Sequence, residues 1–101
     1  MKKQAVYFAS NLKFLRNRRK VVQEILANAL ELSRSKIAAY ESGQTKNPGM
    51  EELISMSRYF KISIDLLLQE DLSKYSEYKL MEIETSMAYA QGKGLKIIIF
   101  S

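Results

Sequence analysis

Phe8, Leu12 and Leu15 recur at the spacing of one helical face, which predicts a first helix over about Tyr7–Asn17. The basic run "RNRRK" (Arg16 to Lys20) then ends the pattern in charge. A second helix from about Val22 to Leu30 turns Leu26, Ala27 and Leu30 inward. Ser33 is a good N-cap for a third, Arg34 to Ser42, with Ile37 and Tyr40 as its buried positions and Gly43 closing it. "QTKNPG" holds the single proline, Pro48, and reads as a loop. A fourth helix, Met50 to Phe60, carries Leu53, Met56 or Ser57, and Phe60 inward; Ser63 caps a short fifth through Leu66, Leu67 and Leu68. These five helices form one unit over residues 1–69.

From residue 70 to 101 the pattern changes. "LSKYSEYKLMEIETSMAYAQ" looks helical, with Leu72, Tyr75, Met81, Ile83 and Met87 available for contacts. "GKG" breaks it, and "LKIIIFS" has the β-branched run of a strand. A lone strand cannot satisfy its own backbone, so this one requires a partner. The expected fold class is all-α, with a C-terminal helix and a possible terminal β-strand.

Composition narrows the chemistry. The chain has no cysteine and no histidine, which excludes disulfides and thiolate metal sites and removes the usual general base. Cysteine absence fits a reducing cytoplasm, the expected location. The N-terminus lacks the apolar run of a signal peptide, and no stretch approaches the roughly 20 apolar residues of a membrane span, so a soluble chain is expected. Glu51 and Glu52 read as dipole partners of the fourth helix rather than a catalytic pair. Glu82 and Glu84 lack metal-loop spacing, and "GKG" is too short for a phosphate loop. The expectation is no enzyme, no metal and no cofactor.

Charge is uneven. Residues 1–48 carry ten Lys/Arg against three acids, while residues 49–101 carry six against eight. Such asymmetry suggests a polyanion on one face, although a solvated charged surface explains it equally well. Within "RNRRK", Arg16 reads as internal, and Arg18, Arg19 and Lys20 lean toward phosphate rather than mere solubilising charge.

The stretch "QEILANALELSRSKIAAYESG" adds geometry to the charge. Ala27 sits where two helices approach too closely for a larger side chain. Leu26, Leu30, Leu32, Ile37 and Tyr40 supply a small core that fixes the helices at a steep angle. That is a helix-turn-helix, whose first helix crosses the DNA backbone and whose second enters the major groove. Together with the loop "QTKNP" and the closing "LISMSRYFKISIDLLL", it resembles the Cro/CI-type (XRE) family of phage and bacterial repressors, from about Leu12 to Leu68.

The resemblance implies a five-helix, lambda-repressor-like DNA-binding domain and assigns roles by position. Arg34, Ser35, Ala38 and Ala39 would face base edges, with Arg34 able to donate two parallel bonds to guanine. Gln23, Lys36, Ser42, Gln44, Thr45 and Lys46 would hold phosphates. Arg16 and Glu41 would form a buried structural ion pair between the first and third helices. Two departures stand out. Glu31 occupies the turn position usually held by glycine, so an altered or slightly longer turn is expected. Gly49 stands where some members carry an arginine, so no minor-groove contact is expected there.

The functional expectation is a sequence-specific regulator of double-stranded DNA, a repressor acting as a homodimer on an inverted repeat with half-sites about 34–36 Å apart. The tail from Leu72 would either dimerise through "LKIIIF" or begin a C-terminal domain missing from this chain. The rival reading is an antitoxin that binds a toxin and represses its own operon.

Overall fold

Three helix starts follow from short polar side chains that intercept backbone amides. Ser33 Oγ accepts from Lys36 N at 3.1 Å, Ser63 Oγ from Leu66 N at 3.1 Å, and Ser76 Oγ from Lys79 N at 3.1 Å. The computed structural model describes residues 6–92, and its regular structure there is helical throughout. The order is α1 (Phe8–Arg18), α2 (Gln23–Leu30), α3 (Arg34–Glu41), α4 (Met50–Phe60), α5 (Ile64–Gln69), a 3-10 helix at Leu72–Lys74, and α6 (Glu77–Gly92). The expected strand at "LKIIIFS" lies outside the described residues.

The apolar stripes converge on one core. Phe8, Leu12 and Leu15 of α1 meet Leu26, Ala27 and Leu30 of α2, Ile37 and Tyr40 of α3, and Leu53, Met56 and Phe60 of α4. Ser57, the other inward candidate of α4, is also fully buried and donates to Ile62 O at 2.6 Å, satisfying its hydroxyl. Phe8 and Tyr40 meet edge to face at 5.4 Å between ring centroids, joining α1 to α3.

Asn11 is the unexpected core member. It stands on the apolar face of α1, 1% exposed. Its Nδ2 donates to Leu67 O at 2.8 Å and Glu70 O at 2.6 Å, and its Oδ1 accepts from Leu72 N at 3.0 Å. One amide thus satisfies the end of α5 and the start of the tail, where a helix terminus would otherwise bury unpaired backbone groups.

The tail is interrupted sooner than its sequence implies. Asp71 Oδ1 accepts from Ser73 N at 3.2 Å, starting the 3-10 helix, and the Ser76 cap starts α6 anew. Local side-chain acceptors outcompete helix continuation across Tyr75 and Ser76. Leu72 belongs to the main core, and Tyr75 and Ile83 pack against it. The core therefore runs past Gln69. Leu80 and Met87 are buried on α6, while Met81 is exposed.

Candidate nucleic-acid interface

The reading head is positioned first by Arg16. Its Nε and Nη2 donate to Glu41 at 2.7 and 3.0 Å, and its Nη1 donates to Val21 O at 2.8 Å. Gln23 Nε2 donates to Glu41 Oε1 at 3.0 Å. The two charged side chains are 11% and 4% exposed. Hydrogen bonding to Glu41 raises the Arg16 pKa, against the opposing effect of burial and with further help from the carboxylate charge. This bidentate pair joins the last residue of α3 to α1, and Gln23 adds the first residue of α2.

Between α2 and α3 stand only Glu31, Leu32 and Ser33. The turn is neither lengthened nor rebuilt, contrary to expectation. Glu31 itself takes the left-handed conformation, φ 59° and ψ 43°, and Leu32 N donates to Ala27 O at 2.8 Å. A Cβ in that region is strained, and the packing of Ala27 and Leu30 below holds it there.

With α3 so fixed, Arg34, Ser35 and Lys36 are exposed on its first turn, and Ala38 and Ala39 are half-buried along the next. Arg34 has no internal partner among the described residues. After α3, Gly43 adopts φ 82°, and Thr45 N donates back to Ala39 O at 3.1 Å. Ser42 Oγ donates to Ala39 O at 3.1 Å and accepts from Gln44 N at 3.3 Å. Its hydroxyl shapes the loop that displays Gln44, Thr45 and Lys46, all exposed. Gln23 has its amide group turned inward to Glu41, leaving its carbonyl oxygen and the first-turn amides of α2, which Val22 does not cap with a side chain.

Two groups of residues behave differently from their expected roles. Lys36, expected at a phosphate, reaches Glu52 Oε2 of α4 at 2.7 Å, and the hydroxyl of buried Tyr40 donates to Glu52 Oε1. Burial raises the Glu52 pKa, but the hydrogen bonds from Lys36 and Tyr40, the Lys36 charge and the Gly49 backbone together bring it below its ordinary value. Glu52 is therefore a cross-link between α3 and α4, not simply a dipole partner.

Arg18 and Arg19, read as leaning toward phosphate, face the tail instead. Arg18 Nη2 is 2.6 Å from Glu77 and Nη1 is 2.5 Å from Glu84; Arg19 Nη2 is 3.7 Å from Glu84. Arg19 also lies over the rings of Tyr59 and Phe60, 5.2 and 5.5 Å from their centroids. The acidic face of α6 absorbs this part of the basic run. No group of metal-ligating residues occurs among the described residues, and none of their helices is long and apolar enough to cross a membrane.

Comparison with known proteins accords with this geometry. The helix-turn-helix domain family matches residues 9–80. The chain is 39% identical over 71 residues to the HTH-type transcriptional activator BcrR of Enterococcus faecalis, covering 69% of this chain and 34% of that protein. It is 36% identical over 62 residues to the uncharacterized HTH-type transcriptional regulator YqaE of Bacillus subtilis (strain 168), covering 61% of this chain and 53% of that one. The chain thus spans about a third and about half of these relatives' lengths. The crystal structure of a transcriptional regulator from Listeria innocua superposes with TM-score 0.57 at 29% identity, over 85% of this chain and 94% of that one. The match over residues 9–80, with α2 and α3 set as the sequence predicts, means that this chain belongs to the helix-turn-helix domain family, in its Cro/CI (XRE) type.

Proposed function

We propose that the chain is a sequence-specific regulator that binds double-stranded DNA as a homodimer, reading an inverted-repeat operator through the helix that starts at Arg34. One observation carries the reading. Arg34 stands exposed on the first turn of a helix anchored at its other end by the Arg16–Glu41 pair, with no internal partner among the described residues. A guanidinium held this way is available for bidentate hydrogen bonds to guanine O6 and N7. Ser35 joins it at the base edges, and the small side chains of Ala38 and Ala39 let the helix approach and touch thymine methyl groups.

Lys46, Gln44, Thr45 and Ser42 on the following loop, and Gln23 with the first-turn amides of α2, meet phosphates on either side of the groove. They set register and salt-dependent affinity rather than sequence preference. A single module of this size has a small contact area, which is the argument for two copies on one DNA face. The direction of regulation is read as repression. BcrR is named an activator, so a reporter carrying the selected operator upstream or within a promoter decides it.

The test is selection from a pool of random duplexes at moderate salt. An enriched inverted repeat with half-site centres about one helical turn apart is the expected result, together with loss of one guanine preference in Arg34→Ala, worth about 1–3 kcal/mol. Weak, unselective binding that disappears as salt rises would refute sequence-specific reading.

A further inference from the structure

We propose that Glu52 is a positioning residue that keeps Lys36 away from the DNA backbone and so limits the salt-dependent part of operator affinity. The inference rests on the DNA-binding reading above and concerns what the lysine on the first turn of α3 does.

Lys36 lies two positions beyond Arg34 on the first turn of α3, where a cation would be expected to reach a phosphate. Its Nζ is instead 2.7 Å from Glu52 Oε2. The two partners are unequal. The Lys36 side chain is 46% exposed and carries a flexible stem, whereas Glu52 is 19% exposed and held from a second side by Tyr40. Tyr40 is itself 2% exposed and packed against Phe8. The carboxylate is therefore a fixed, partly desolvated anion, and the lysine is the part that moves.

Withdrawal of Lys36 toward a phosphate would leave that carboxylate half-buried with only neutral donors, a costly arrangement. The direction of the Glu52 pKa agrees, since a group held below its ordinary value remains ionised at neutral pH. A lysine that neutralises a protein carboxylate releases no counterions from DNA. It is absent from the charge count that sets salt dependence.

The experiment measures affinity for the selected operator duplex against salt concentration, for the wild-type chain, Glu52→Gln, Lys36→Ala and the double variant. Glutamine retains an oxygen to accept the Tyr40 hydroxyl and fills the same space. With one Lys36 released in each subunit of the dimer, Glu52→Gln is expected to tighten binding at low salt and steepen the log–log salt slope by about 1.8, so that about 12-fold of its advantage is lost between 50 and 200 mM. Lys36→Ala alone should leave the slope unchanged, and in the Glu52→Gln background it should return the slope to the wild-type value.

An unchanged slope in Glu52→Gln overturns the proposal. So does a slope about 1.8 shallower in Lys36→Ala alone, because Lys36 of each subunit would then already be on a phosphate. A gain that survives in the double variant also overturns it, because simple removal of negative charge would explain the effect. Should Glu52→Gln melt below the assay temperature, Lys36→Ala alone decides through its slope. A wild-type chain that enriches no duplex sinks the DNA reading and this inference together, whereas an enriched motif with an unmoved Glu52→Gln slope sinks this inference alone.

Discussion

Replacing Glu41 by alanine should be among the most damaging single changes to this chain. Glu41 accepts three hydrogen bonds, two from Arg16 and one from Gln23, and is 4% exposed. Its removal leaves the Arg16 guanidinium, 11% exposed, with Val21 O as its remaining acceptor. Breaking one partner of a buried pair costs about 3–5 kcal/mol. The surviving Val21 contact and the residual exposure argue for the lower end, about 3 kcal/mol. A chain of this length has a total stability on the order of 5–15 kcal/mol, so the loss is a large share of it. In a domain of this size, it corresponds to a fall of about 12–24 °C in Tm.

Thermal and urea unfolding followed by circular dichroism would measure it. The informative comparison is Arg16→Met with Glu41→Leu, which removes both charges and should lie within about 1 kcal/mol of wild type. If Glu41→Ala also lay within about 1 kcal/mol of wild type, the pair would behave as a surface ion pair and the buried-anchor argument would fail.

Glu31→Gly should stabilise the chain by about 0.5–1 kcal/mol, because it relieves about 1–2 kcal/mol of left-handed strain against the entropy of the added glycine. An equal gain in Glu31→Ala, which keeps a Cβ, would assign the effect to the side chain instead. The Tyr40 hydroxyl is pushed up to about 12 by burial first and then by Glu52, with the Gly49 backbone pulling the other way. The folded chain holds this proton more tightly than the unfolded chain does, so the stabilisation is fully present below the ordinary tyrosine value of 10 and is lost as pH rises through about 12. Urea unfolding at stepped pH should show that decline in wild type and a shallower one in Tyr40→Phe. Among the α6 carboxylates, Glu84→Gln should reduce hydrogen-exchange protection of α6 amides more than Glu77→Gln, since Glu84 is 22% exposed against 65% for Glu77. Equal effects would contradict that ranking.

The helices were legible because their evidence is local. The i, i+4, i+7 spacing of Phe8, Leu12 and Leu15, and serine caps at 33 and 63, specify where helices begin and which side is apolar. The Arg16–Glu41 contact was reachable only through family resemblance, since the partners are 25 positions apart. The fate of Arg18 was not legible. Its partners lie 59 and 66 positions along the chain, and a basic run offers phosphate and carboxylate the same chemistry. Glu52 was obscured by its place in the first turn of α4, where an acid already has a sufficient local reason to stand. Asn11 did leave a signal, a polar residue three positions after Phe8 on a stripe otherwise apolar; what it bonds depends on where α5 ends. The left-handed Glu31 shows that a departure from the usual glycine can be absorbed by strain rather than by a new path.

The Asn11 seam also sets an order of events during synthesis. It joins positions 61 residues apart and encloses the whole helix-turn-helix between them. At about 5–20 residues per second, the chain from Asn11 to Leu72 takes about 3–12 s to emerge. By the end of that interval the basic half has been made, while Glu77 and Glu84, which meet Arg18 and Arg19, have not. A product terminated before Leu72 would therefore be unsealed at its core and would lack the α6 carboxylates that meet Arg18 and Arg19, leaving that basic run suited to indiscriminate attachment to nucleic acid rather than to selection of a site. The late carboxylates of α6 thus end a brief stage in which Arg18 and Arg19 stand without them.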